Sequence, residues 1–298
     1  MTASAQTLSG WSAPRELTDR ATRNMPALAT NGGLICMAWR GLDQDNIWVS
    51  VSNDNGHSWT AQKELTDRST ANAPALCVIN GRFIMAWRGT GQNNIWTSYS
   101  TDGLNWSAQV ELQDRATTNN PSLAGVDGIG AVMAWRGLDQ ANIWISTSSD
   151  GITWSPQVEL QDRATQSGPA VSGTNTQGGL FAMLWRGLDQ DNLWKSNSKN
   201  GANWSPQSEI TTSATVDSPG LTHSDSLGVF YAGWHGLNAP NNPNIFVSWS
   251  TDGINYAPQV DTGMQSQNGP ALTPAGNGLL MAFRGQNKNN IFVANLNS

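Results

Sequence analysis

Charge is scarce in this sequence: Asp, Glu, Lys and Arg make up 13% of its 298 residues, against 38% hydrophobic ones. That balance excludes a disordered or fibrous chain and leaves ample apolar material for one sizeable core. Positive charge is scarcer still. Sixteen Lys and Arg against 22 Asp and Glu give a net charge of −6 and an isoelectric point near 4.9, so no basic field gathers phosphates and nucleic acid is not an expected partner. Long apolar runs are missing, and the stretch from Met1 to Gln6 has neither a charged n-region nor an apolar h-region. The expectation is a soluble protein with neither membrane insertion nor signal peptide, cytoplasmic or released by a leaderless route. The two cysteines, Cys36 and Cys77, sit inside apolar runs and are expected as small buried hydrophobes. Three scattered histidines (His57, His223, His235) lack ligand spacing, so neither metal nor cofactor is expected.

What the chain has in excess is tryptophan, and 14 of its 15 fall on three recurring positions. One series is Trp39-Arg40-Gly41, Trp87-Arg88-Gly89, Trp135-Arg136-Gly137, Trp185-Arg186-Gly187, Trp234-His235-Gly236 and Phe283-Arg284-Gly285, at steps of 48, 48, 50, 49 and 49 residues. The second is Asn46-Ile47-Trp48, Asn94-Ile95-Trp96, Asn142-Ile143-Trp144, Asn192-Leu193-Trp194, Asn244-Ile245-Phe246 and Asn290-Ile291-Phe292. Only the fifth copy is lengthened between these points, by Asn238 to Pro243. The third is Trp59, Trp106, Trp154, Trp204 and Tyr256, with Trp11 as a sixth member at the other end of the chain.

A period near 48 residues signals a solenoid or a propeller, and the content of the unit chooses between them. Each unit reads as four short strands. The second is a continuous apolar run such as Leu34 to Trp39, and Asp102-Gly103, Asp150-Gly151 and Asp252-Gly253 supply tight turns. No segment carries a sustained helical period. Six units of four strands predict an all-β, six-bladed β-propeller forming one domain. The expected blades are 26–66, 74–113, 121–161, 169–211, 219–261 and 270–298, the last completed by residues 9–18 as a fourth strand. That closure removes two exposed sheet edges.

The segment Ser52-Asn53-Asp54-Asn55-Gly56-His57-Ser58-Trp59 resembles the Asp-box of the sialidase (BNR-repeat) superfamily, pattern S-x-D-x-G-x-[ST]-W. Later copies are one residue shorter, and Asn200 replaces Asp in the fourth. The resemblance implies a six-bladed propeller in which these residues are turn and packing groups on the face away from any active site, with Asp54 accepting backbone N–H bonds. The unit Met-Ala-Trp-Arg-Gly followed by Asn-Ile-Trp also resembles the repeat of bacterial propeller lectins, which place sugars between blades.

Nine of the 12 arginines occupy two repeat positions: Arg40, Arg88, Arg136, Arg186 and Arg284 after the Trp, and Asp19-Arg20, Asp67-Arg68, Asp114-Arg115 and Asp162-Arg163 in an expected inter-blade loop. Both sets are expected on one face, meeting at the clefts between blades. They stand either as mutual partners stitching blades together, or as sugar sites in which Trp39, Trp48, Trp87, Trp96, Trp135, Trp144, Trp185 and Trp194 give apolar walls. In the second case the arginine forks join Asp acceptors and the amides of Gln44, Gln92, Gln140, Gln190, Asn46, Asn94, Asn142 and Asn192. Blades five and six lose several of these groups together, so four competent clefts are expected: six/one, one/two, two/three and three/four.

Sialidase chemistry needs a Tyr nucleophile with a Glu base and an Asp acid at one asymmetric site, and the sequence offers no such set: its five glutamates all occupy one fourth-strand position. The expected function is a non-catalytic, multivalent glycan binder, with glycans or glycoconjugates as partners and a homo-oligomer open. The alternatives are a sialidase-like glycoside hydrolase and a protein-interaction propeller.

Overall fold

The computed structural model describes residues 8–237 and 243–296. The lengthening of the fifth copy falls almost wholly on 238–242, outside the described residues. Strand β1 (Arg15–Ala21) stands first. Blade one is β2 (Ala27–Asn31), β3 (Leu34–Arg40), β4 (Asn46–Ser52) and β5 (Lys63–Ser69). Blade two is β6 (Ala75–Ile79), β7 (Arg82–Arg88), β8 (Asn94–Ser100) and β9 (Val110–Ala116). Blade three is β10 (Ser122–Val126), β11 (Gly130–Arg136), β12 (Asn142–Ser148) and β13 (Val158–Ala164). Blade four is β14 (Ala170–Thr174), β15 (Leu180–Arg186), β16 (Asn192–Ser198) and β17 (Ser208–Ala214). Blade five is β18 (Gly220–Ser224), β19 (Val229–His235), β20 (Asn244–Ser250) and β21 (Val260–Gln265). Blade six is β22 (Ala271–Ala275), β23 (Gly278–Arg284), β24 (Asn290–Leu296) and, from the far end of the chain, β1.

The protein is a six-bladed propeller of antiparallel four-stranded sheets, closed by β1 against β24 with Glu16 opposite Phe292 and Leu17 opposite Ile291. Regular pairing of the closing strand starts at Arg15, later than the expected 9–18, while Trp11 makes an isolated bridge to Leu296. The second strands alternate between two interfaces. Ile35, Met37 and Trp39 join Leu280, Ala282 and Ile291 of blade six, whereas Cys36 and Ala38 join Phe83, Met85 and Trp87 of blade two. Burial on both faces is why that strand reads as an unbroken apolar run. Both cysteines are free and buried, which pushes their thiols well above the usual range.

The Asp-box turns close the opposite face. Asp54 accepts from the Ser58 backbone N–H at 2.8 Å, and Asp102 from those of Leu104 and Asn105 at 2.9 and 2.7 Å. Gly103 sits at φ 73°, and a Cβ there would lie 2.8 Å from Val51 of the preceding blade, so backbone freedom and close packing both require glycine.

The first strands line an axial channel. A ring of Leu28, Leu76, Leu123, Val171, Leu221 and Leu272 narrows it and separates two cavities. The cavity on the Asp-box side is about 610 Å³ and includes Thr30, Asp127, His223 and Asp225. The cavity on the Trp-Arg-Gly side is about 80 Å³ and is ringed by Pro26, Pro74, Pro121, Pro169 and Pro219.

Candidate functional site

The Asp-Arg pairs, expected in loops, lie within the fourth strands. Ile47 pairs with Leu65 while Asn46 pairs with Ser69, so Thr66, Asp67 and Arg68 form a three-residue bulge. The same bulge recurs at Asp19-Arg20, Asp114-Arg115 and Asp162-Arg163. The kink turns the arginine inward and leaves the aspartate outside.

This placement corrects the expectation for Arg20, Arg68, Arg115 and Arg163, which are 4–5% exposed and reach into the following blade. Arg68 donates to Ser98 Oγ at 2.9 Å and to the Ser107 carbonyl at 3.1 Å, with its guanidinium 5.7 Å from the centre of the Trp87 ring. Arg20 donates to Ser50 and Thr60, Arg115 to Ser146 and Ser155, and Arg163 to Ser196 and Ser205. These arginines staple adjacent blades and offer no free fork to a ligand. Burial pulls Arg20, Arg115 and Arg163 below the usual arginine range, with Asp19, Asp114 and Asp162 opposing it. The aspartates remain 55–58% exposed at the cleft rim, and the Arg68 hydrogen bond pulls Asp67 below the usual carboxylate range.

Trp39, Trp87, Trp135 and Trp185 are a second correction: each is 1% exposed and belongs to the packed inter-blade core, because it ends a strand buried on both faces. The wall available to a ligand is the second Trp series. Trp48, Trp96, Trp144 and Trp194 are half-buried, and their indole N–H groups have no hydrogen-bond partner among the described residues. Trp48 stands opposite Trp39 in register and therefore faces the same, preceding blade. Its position depends on Gly41, where a Cβ would lie 2.9 Å from the indole nitrogen.

Beside each of these indoles stands a glutamate that sequence reading assigned no role. Glu64, Glu111, Glu159 and Glu209 lie opposite Trp48, Trp96, Trp144 and Trp194 in register. Each accepts from the amide of Asn46, Asn94, Asn142 or Asn192, at 2.7 Å for Asn94 and 2.5 Å for Asn142. Gln44, Gln92, Gln140 and Gln190 are exposed on the adjoining loop. A second glutamine series bridges the cleft from below: Gln62, Gln109, Gln157 and Gln207 donate to the carbonyls of Asp19, Asp67, Asp114 and Asp162. Their repetition at one offset was the available signal for both missed sets.

Arg40, Arg88, Arg136 and Arg186 are half-buried and hold loops in place. Arg88 donates to Asn93 Oδ1 at 2.5 Å, Asn72 Oδ1 at 2.9 Å and the Thr118 carbonyl at 2.8 Å. Arg40 and Arg186 ion-pair with Asp45 and Asp191, and Arg136, where Ala141 removes that partner, donates to the Thr165 carbonyl at 3.0 Å. The inter-blade threonines Thr22, Thr70, Thr117, Thr165 and Thr215, all fully buried, bridge to the glycine of the next Trp-Arg-Gly or Trp-His-Gly turn. The structure thus brings a Trp, a Glu-Asn pair, an exposed Gln and a rim Asp to each of four clefts.

Blade five departs from this pattern. Asp217 stands where four of the other blades have Asn and blade four has Ser167, His235 stands where the others have Arg, and both His235 ring nitrogens are buried without a hydrogen-bond partner among the described residues. Burial raises the Asp217 carboxyl and lowers the His235 imidazole, each opposed by the charge of the other. A raised Asp contributes stability that is lost as pH rises through its folded value, and a lowered His contributes stability that is lost as pH falls below about 6.5. The two slopes oppose. Asp217→Asn removes one of them, so the melting temperature is expected to climb more steeply between about pH 4 and 6.5 than in the native protein. Calorimetric melts across that range check it, and an unchanged slope counts against the pairing.

The family described as BNR repeat-like domain matches residues 1–167, more than half of the chain. No curated protein matches. Among solved structures, the chain is similar to a Hadza microbial sialidase at 15% identity and TM-score 0.64, covering 91% of this chain and 65% of that one, so it spans less than two thirds of that sialidase. It is similar to the Penicillium chrysogenum α-L-arabinanase complexed with arabinobiose at 14% identity and TM-score 0.68, covering 95% and 94% of the two chains. It is also similar to the Aleuria aurantia lectin in complex with Fucα1-6GlcNAc at 10% identity and TM-score 0.62, covering 88% of each. At these identities the likeness is one of fold.

Proposed function

This chain belongs to the BNR repeat-like domain family, and from that premise we propose that it is a multivalent glycan-binding protein with its sugar sites in the clefts between blades. The observation that carries the reading is repetition: Trp96 with Glu111, Asn94, Gln92 and Asp67 recurs as Trp48, Trp144 and Trp194 with their counterparts. An indole offers an apolar face to a pyranose and an N–H to a hydroxyl, while carboxylates and amides accept from and donate to the others. Several modest sites on one rigid ring raise avidity by about 10²–10⁴ when they engage together. That two of the similar structures hold saccharides supports the same class of ligand.

Trp96→Phe copies the natural Phe246 and Phe292, removing the indole N–H and keeping an aromatic ring. Isothermal titration with a bound monosaccharide is expected to give about four sites per chain in the native protein and one fewer in this variant, at unchanged affinity elsewhere. A stoichiometry of one contradicts the reading.

A hydrolase is the second reading, favoured by the wide axial cavity, where Asp127 and Asp225 are present and His223 Nδ1 lies 2.8 Å from Asp225 Oδ1. Glycoside hydrolysis needs two carboxylates able to act as acid and as base or nucleophile. Here Asp127 accepts from the Asn80 backbone N–H and Asp225 from Thr174 Oγ1, and both lie on the Asp-box face. Turnover of a fluorogenic glycoside panel, abolished by Asp225→Asn, is the result that favours this reading over the first.

A further inference from the structure

The cleft between blades six and one differs in charge from the other three. Its outer pocket, about 510 Å³, is lined by Arg23, Leu42, Asp43, Arg284 and Asn289. Arg23 occurs at this loop position only here; the corresponding residues are Ala71, Thr118, Gln166, Val216 and Gln267. Arg40 and Arg186 ion-pair with the aspartate five residues on, whereas Arg284, like Arg88 and Arg136, lacks an aspartate there; it has Asn289 and, among the described residues, no carboxylate partner. Arg284 donates to Asn289 Oδ1 at 2.5 Å and to the Arg23 carbonyl at 2.8 Å, while its buried Nε has no partner among the described residues. Arg23 is exposed and holds the Leu42 carbonyl through Nε alone, which leaves both terminal amino groups without a partner among the described residues. The lining therefore carries two guanidinium charges against one carboxylate, in a chain whose net charge is −6. The mutual repulsion of Arg23 and Arg284 favours an anion between them.

We propose that this pocket is an anion subsite that takes a carboxylate, gripped by the free fork of Arg23 beside Arg284. Planar carboxylate and guanidinium match in two parallel hydrogen bonds, and a pocket of this size holds a sugar ring as well as the charged group. The same chemistry comes from an acidic saccharide or from a small free carboxylate. In the first case the site lends one cleft a preference that the other three, which have Ala71, Thr118 and Gln166 in place of Arg23, do not share.

Titration at low ionic strength with glucuronate, glucose and acetate separates these outcomes, because exposed charges are screened within about 10 Å at 0.1 M salt. The expected result is glucuronate bound more tightly than glucose, weakened roughly tenfold by Arg23→Gln and strengthened a few-fold by Asp43→Asn. Circular dichroism of both variants should match the native protein, since neither exposed side chain supports the core. If acetate alone binds, and Arg23→Gln weakens it, the anion subsite stands and the glycan reading falls. Should neutral sugars bind while glucuronate shows no preference, or none that Arg23→Gln changes, the subsite is overturned and the glycan reading stands.

Discussion

Removal of residues 1–21 is expected to abolish cooperative folding of the whole ring rather than to fray one blade. These residues contain β1, the fourth strand of blade six. Leu17, 5% exposed, packs with Ile35, Trp39 and Ile291, and its burial is worth about 1.5–3 kcal/mol. Arg20 bonds Ser50 and the Thr60 carbonyl across to blade one, so its loss also strips those buried groups of a donor. Leaving a buried neutral group short of a hydrogen-bond donor commonly costs about 1–3 kcal/mol. Set against a total stability of roughly 5–15 kcal/mol, the two losses remove a large share of the margin. The cut also exposes the full edge of β24, a template for strand addition. Circular dichroism melts and size-exclusion chromatography should show a lost or strongly lowered transition together with aggregation. A truncated protein that melts as one sharp, monomeric transition near the native temperature would mean that β1 is dispensable and the closure ornamental.

The second large effect concerns the staples, and the protein contains its own control. Four bulge arginines bond a serine on the third strand of the next blade: Arg20 with Ser50, Arg68 with Ser98, Arg115 with Ser146, Arg163 with Ser196. At the four/five interface the pair becomes Ser213 and Ser248, both buried, and at five/six it becomes Met264 and Ala294, packed in one apolar cluster. Arg68→Ala is therefore expected to cost about 2–4 kcal/mol, since it takes one buried donor each from Ser98 Oγ and the Ser107 carbonyl, which keep only their bonds to each other, and removes the guanidinium from the Trp87 face. That corresponds to roughly 4–8 °C in melting temperature. The double variant Arg68→Met, Ser98→Ala transplants the five/six solution and is expected within about 1 kcal/mol of the native protein, because a buried ion and its partner exchange for apolar groups at little net cost. Differential scanning calorimetry of the two variants decides the matter. A double variant as unstable as Arg68→Ala would show that this interface needs the charge itself.

Much of this was legible in the sequence because a propeller repeats its local chemistry. The six Trp-Arg-Gly-type turns, the buried second strands and the displaced Trp11 named the blade count and the closure. What periodicity does not carry is direction. Arg68 and Arg88 look alike as repeated arginines near a Trp. One is the last residue of a three-residue bulge that rotates it into the next blade, and the other ends a regular strand and ties down loops. Trp39 and Trp48 are likewise both repeated indoles, yet one is closed on both sides and the other lies at a blade edge over Gly41.

The sequence alone therefore determined the fold class, the ring of six and the set of residue types that a cleft has at its disposal, since these follow from spacing and alternation along the chain. Only the tertiary structure decided which of those residues face the clefts. Bulges, strand register and the contact between neighbouring blades set each side chain's exposure, and those are properties of two blades together that no single repeat contains.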